Sequence, residues 1–160
     1  MGRRSDVLAA RIEEGAATLA QFTKGLTDAQ WKAVVPHDGR TVGVVIHHVA
    51  SMYPIEMEVV NSVARGTAVT EVTWEAVADI NAKHAREKLN ATKQDALDLL
   101  ARNSKAAADG VRALSDEQLD GALPFSLSYG APVTTQFVIE DHPLRHPWHH
   151  LFRIKRALGR

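Results

Sequence analysis

The sequence predicts an all-α fold, a four-helix bundle in a single domain over residues 1–160, and three observations carry that expectation. Apolar residues recur at three- and four-residue steps through four long segments, the period of a helix that turns one face to a core. Two stretches between those segments, GLTDAQWKAVVP at 25–36 and ALSDEQLDGALP at 113–124, match in register. The chain therefore reads as two helix pairs in series, which pack most simply as four antiparallel or parallel neighbours around one core. At 160 residues, one compact unit buries roughly 70% of the surface its unfolded chain exposes.

The first helix starts at Ser5, with Leu8, Ile12, Gly15 or Ala16, Leu19, Phe22 and Leu26 on its apolar stripe. The second follows HDGRT, where Val42, Val45, Ile46, Val49, Met52, Ile55 and Val59 keep the period until Arg65 and Gly66 end it. In the third segment Thr73 caps a helix from Trp74 through Val77 and Ile80 into the polar run NAKHAREKLNAT, with a break near Asn90. Thr92 then opens a stripe of Leu97, Leu100, Ala107, Val111 and Leu114. The last helix spans 134–158 and contains Pro143 and Pro147. An interior proline costs about 3 kcal/mol and pushes the residue before it away from helical angles. Either the regular helix begins at one of these prolines or it is kinked, and its match in length to the second helix favours the kink.

The two matching stretches each hold a capping box, Thr27 with Gln30 and Ser115 with Gln118, so each should form one short helical turn. In ALPFSLSYGAPVT, the alternation of Phe125, Leu127 and Tyr129 with serines, followed by Gly130 and Pro132, suggests a short hairpin or flap at one end of the bundle.

Composition removes several functions. With 19 basic and 19 acidic side chains, the chain lacks the electrostatic footprint of a nucleic-acid or anionic-membrane binder. It has no cysteine, hence no disulfide, no thiolate ligand and no cysteine nucleophile, and any metal must be held by nitrogen and oxygen. The N-terminal MGRRSDVLAARIEEG has no long apolar run, so neither a secretory signal nor a membrane span is expected and the default location is the cytoplasm.

What remains is histidine. Six of the eight histidines lie in VIHHVASM and DHPLRHPWHHLFRIKRALG. His142, His146 and His150 are spaced by four, which sets helical side chains one turn apart, where two imidazoles reach one ion at about 2.1 Å. A third ligand would come from the second helix. His48 shares its face with Val45, Met52 and Ile55 and so points inward, whereas His47, with Gly43, Ala50 and Ser51, has a weaker claim to the core. His146 and His150 are followed by Leu151 and Ile154, which keep that part of the helix on the core; His142 lies nearer the helix start, and His149 faces a flank. A lone histidine beside apolar residues is more often a structural filler, and it is the pairing across two helices that points to a metal. Glu56, His47 and Asp141 are candidates for proton transfer or ligand support, and Arg145 and Arg153 for a carboxylate of a cofactor, with no spacing that fixes any of them.

DGRTVGVVIHHVASM and HPWHHLFRIKRALG, with LTDAQW and LSDEQLDGALP, resemble the second-helix and last-helix signatures of the DinB/YfiT-like superfamily over residues 27–159. The resemblance implies an up-down-down-up four-helix bundle, a homodimer, and a divalent metal on three histidines, which fall by position on His48, His146 and His150. It also implies, for some members, transferase or isomerase chemistry with a low-molecular-weight thiol such as bacillithiol or mycothiol. The extra histidines and the two prolines depart from the family pattern and bear on the choice of the C-terminal pair.

The expectation is a metal-dependent enzyme acting on a small organic molecule by hydrolysis or thiol transfer, with Zn, Ni, Fe, Co or Mn as the ion. Its rivals are a non-catalytic metal- or ligand-binding dimeric bundle and a pH-responsive regulator built on clustered histidines.

Overall fold

A computed structural model describes residues 4–160. Its elements are α1 (Arg4–Lys24), α2 (Asp28–Lys32), α3 (Val42–Ala64), α4 (Trp74–Glu87), α5 (Lys93–Arg112), α6 (Asp116–Asp120), β1 (Ala122–Pro124), β2 (Pro132–Thr134), α7 (Thr135–Ile139) and α8 (Arg145–Ala157). A π turn, Glu140–Leu144, joins α7 to α8 in one long helix. Both expected capping boxes form, and each starts a five-residue helix, α2 and α6.

Side-chain contacts fix the directions of the four long helices. Arg4 at the start of α1 reaches Asp116 and Asp120 beyond the end of α5, while Lys93 at the start of α5 bonds the Leu26 carbonyl past the end of α1. These two helices are antiparallel. Asn103 of α5 meets Ala50 of α3, and seven residues on Gly110 meets Met57, so α3 and α5 run parallel. Glu56 lies on His146 and His48 near His150, which makes α3 and α8 antiparallel. Arg11 reaches Glu140, and Gly15 lies against Pro147 and Trp148, so α1 runs with the last helix. The result is an up-down-down-up four-helix bundle.

Because α3 and α5 are parallel, the chain between them must return the full length of the bundle, and α4 makes that return. It stays outside: among the described residues α4 contributes none to the buried core, and Ile80 is exposed. The core is filled by Ile12 and Leu19 of α1, Val45, Ile46 and Val49 of α3, Leu100 and Val111 of α5, and Ile139 and Ile154 of the last helix. Leu26 stays buried although it lies beyond the end of α1.

Residues 42–50 are buried on every side, His47 and His48 among them. Pro54, further along α3, has no N–H for the carbonyl four residues back. Asn103 supplies the missing donor, its Nδ2 2.9 Å from the Ala50 oxygen. Gly43 leaves room for the Trp31 indole, which a Cβ there would strike.

The hairpin is displaced from the alternating residues that predicted it. β1 and β2 pair antiparallel on either side of them, and residues 126–128 form a 3-10 turn that ends at Tyr129 with φ of 58°. Phe125 turns into the core and bridges to Val69, pinning the loop after α3.

Candidate metal centre

Thr41 caps α3 with its side chain on the Val44 N–H, and seven residues on His48 emerges from the wholly buried stretch, 3% exposed. The last helix brings His146 and His150 to the same place. Ring centroids are 5.0 Å apart for His48 and His146, 5.4 Å for His48 and His150, and 4.8 Å for His146 and His150. One ligand nitrogen from each lies within 4.8 Å of the other two.

A π turn separates His142 from the cluster of His48, His146 and His150. Its wider winding breaks the four-residue stripe between His142 and His146, so His142 packs its ring on Phe125, centroids 5.7 Å apart. Pro143 is absorbed inside that turn, and Pro147 follows it near the start of α8. This is the interruption that the prolines predict, realised as a local over-wide turn. His149 is exposed on the flank, and Arg145 is tied to Asp141.

His47 departs from expectation. It is buried because α4 covers it: its Nδ1 lies 2.9 Å from Nε2 of His84. The His84 ring also stands 5.5 Å from that of His48. His84 sits in the polar run NAKHARE, which carries no periodic signal for a core position. The remaining histidine, His37, is exposed in the loop before α3.

On the far side of the triad Glu56, two turns beyond His48, approaches His146 with Oε1 2.8 Å from Nδ1. The approach is close but off the axis of a hydrogen bond, so both Nδ1 and Glu56 Oε2 are without a hydrogen-bond partner. Nearer the start of α3, Asp38 takes Arg40 with both oxygens, Nη2 at 2.9 Å, and also meets Arg153 of α8 at 3.4 Å. Burial alone would raise the Asp38 carboxyl, but the Arg40 hydrogen bonds and charge, with Arg153 behind them, hold it below the usual carboxylate range.

Two of the cluster's imidazoles are held neutral. Burial, with the charges of His146 and Arg40 added, pushes His48 and His150 down to about 2, so both imidazoles are neutral and their lone pairs free for coordination. Burial and the neighbouring His47 bring His84 down to about 4. His48 Nδ1, His84 Nδ1, His142 Nε2 and His146 Nδ1 are all buried without a hydrogen-bond partner. An orphaned buried polar atom costs about 1–3 kcal/mol, so the two on His48 and His146 fit a site that takes a ligand. A tetrahedral ion with bonds of about 2.1 Å sets its nitrogens about 3.4 Å apart. The three ligand nitrogens lie within 4.8 Å of one another, and an all-imidazole set suits Zn, Ni, Fe, Co or Mn.

Comparison with known proteins agrees with this architecture. The sequence profile of the mycothiol maleylpyruvate isomerase N-terminal domain family matches residues 12–140. Among solved structures, YfiT from Bacillus subtilis, described as a probable metal-dependent hydrolase with an unusual four-helix bundle topology, superposes with a TM-score of 0.75 at 19% identity. The match covers 99% of this chain and 90% of that one. No curated protein matches the sequence.

Proposed function

Because the chain belongs to the mycothiol maleylpyruvate isomerase N-terminal domain family, within the DinB/YfiT-like superfamily, we propose that it is a divalent-metal-dependent enzyme whose ion is held by His48, His146 and His150. The observation that carries the reading is the meeting of three imidazoles from two helices, two of them neutral by burial, with Nδ1 of His48 buried and without a hydrogen-bond partner. A divalent ion held by these three residues would supply Lewis acidity, lowering the pKa of a bound water or thiol and polarising an electrophile. Glu56, with Oε1 2.8 Å from His146 Nδ1, would orient that imidazole toward a bound ion, and its unpartnered Oε2 makes it the candidate proton acceptor of the site. The substrate is a small organic molecule and the reaction is hydrolysis or thiol transfer. With no cysteine in the chain, the thiol of a transfer reaction comes from a low-molecular-weight cosubstrate of the bacillithiol or mycothiol type.

The test is to load the protein with metal and incubate it with pairs of thiols and electrophiles and with esters and amides, following products by mass spectrometry. Turnover that His48→Ala and His150→Ala abolish supports the reading. Turnover that survives both variants contradicts it.

A second reading, a non-catalytic metal- or ligand-binding dimeric bundle, draws on the same burial: His150 is 6% exposed and α4 lies over His47 and His48. It predicts metal binding with no turnover of any pair. We include the homodimer in both readings, and light scattering in solution tests it. Among the described residues no helix is long and apolar enough to cross a membrane.

A further inference from the structure

Along α3 the metal-site candidates follow a polar order. Arg40 stands just ahead of the N-cap, His48 two turns inside, and Glu56 two turns further on. Since α8 runs the other way, Arg153 comes three residues after His150 and shares its face, while His146 lies towards Glu56. Asp38 bridges Arg40 and Arg153, so it ties the start of α3 to the end of α8 at one end of the triad. The site is negative at one end and positive at the other.

The positive end is not neutralised. Two guanidinium groups share one carboxylate, which leaves a net single positive charge, and the Asp38 side chain is 5% exposed. Arg40 spends Nε and Nη2 on Asp38, but its Nη1 is buried and has no acceptor. Buried guanidinium nitrogens are nearly always hydrogen-bonded. Through Asp38 the Arg40 guanidinium is tied to Arg153, three residues after His150 on the same helix, which sets it at the end of the triad. Arg145, by contrast, is exposed and engaged with Asp141.

We propose that Arg40 is the anion-binding residue of this site, its Nη1 receiving a carboxylate oxygen of the small molecule that reacts at the His48–His146–His150 cluster. The inference rests on the metal reading for the location of the reaction and adds a substrate class to it: anionic molecules carrying a carboxylate within a few bonds of the reacting atom. Asp38 and Arg153 hold the guanidinium in place, so it is preorganised for a planar oxyanion.

The experiment uses cobalt-loaded protein and two probes of equal size, 3-mercaptopropionate and the neutral 3-mercaptopropionamide, followed by the thiolate-to-cobalt absorption. The acid should bind at least about tenfold more tightly than the amide to the wild type, the worth of one charge-assisted hydrogen bond. In Arg40→Gln paired with Asp38→Asn, which avoids stranding a buried carboxylate, the ratio should fall to about one. Arg40→Lys should keep part of it. In the wild type itself, the Arg40 guanidinium nitrogen resonances should shift with the acid and stay put with the amide, a reading that needs no variant to fold. Equal binding of the two probes, or an acid preference that persists without Arg40 or without movement of its resonances, overturns the proposal. Failure of cobalt to bind counts against the metal reading alone; the same pair titrated into metal-free protein by NMR then decides the role of Arg40 separately.

Discussion

His48 and His150 are neutral in the folded chain because burial, aided by nearby positive charge, depresses them from 6.5 to about 2. The unfolded chain, with ordinary imidazoles, takes up protons as pH falls below 6.5 while the folded chain does not. Their contribution to stability is therefore intact above pH 6.5 and is lost progressively as pH falls towards 2. The melting temperature of metal-free protein should be flat above neutrality and drop steadily below pH 6.5, and His48→Gln or His150→Gln should drop less steeply over the same interval. At Glu56 the prediction concerns affinity. Glu56→Gln leaves His146 in place but removes the charge beside its Nδ1, and competition with a chromophoric chelator should show divalent metal binding weakened about 10- to 100-fold. Spacing pointed to His48, which shares a face with Val45 and Met52, and to two of His142, His146 and His150 on the last helix, and the family resemblance narrowed that pair to His146 and His150. Nothing pointed to His84, Asp38 and Arg40. Each sits among polar residues, and each owes its burial to a neighbour from elsewhere in the chain that no local pattern announces.

At the level of elements, the prolines show how much the sequence can say. Pro143 and Pro147 announce an irregular last helix, and a π turn supplies it, moving His142 off the stripe that four-residue spacing alone would extend to it. Pro54 gave no comparable signal, because α3 continues through it unbroken and the compensation comes from a different helix. Asn103 on α5 donates to the Ala50 carbonyl that Pro54 leaves free. A double-mutant cycle checks this. Asn103→Ala should cost about 1–3 kcal/mol by denaturant unfolding in the natural background, and clearly less with Pro54→Ala, which restores a backbone donor to the same oxygen. Equal costs in both backgrounds would mean that the bond contributes nothing specific. The hairpin was predicted from alternation in residues 125–129, yet those residues form the turn and the strands flank them. Phe125 is drawn into the core, and one buried aromatic outweighs the periodicity of its neighbours.

Across the whole molecule, the up-down-down-up order makes α3 and the last helix antiparallel neighbours, and this alone lets residue 48 meet residues 146 and 150. The four long helices were legible because each buries a continuous stripe. The role of α4 was not, since its polar sequence and lack of buried residues give no sign that it covers His47 and His48. Few buried contacts imply a low local stability, so amide hydrogen exchange should find α4 opening much faster than α3 and α5, with divalent metal slowing α3 and α8 more than α4. Protection in α4 equal to that of α3 would contradict the view of it as a loosely held cover. The central claim is that two helices deliver three imidazoles to one ion. Titration of metal-free protein with cobalt, read by its visible ligand-field absorption, tests it directly. The account predicts one ion per chain with the spectrum of nitrogen coordination, and loss of that spectrum in His48→Ala with the helical content retained. No cobalt spectrum in the wild type, or one that His48→Ala leaves unchanged, would contradict it.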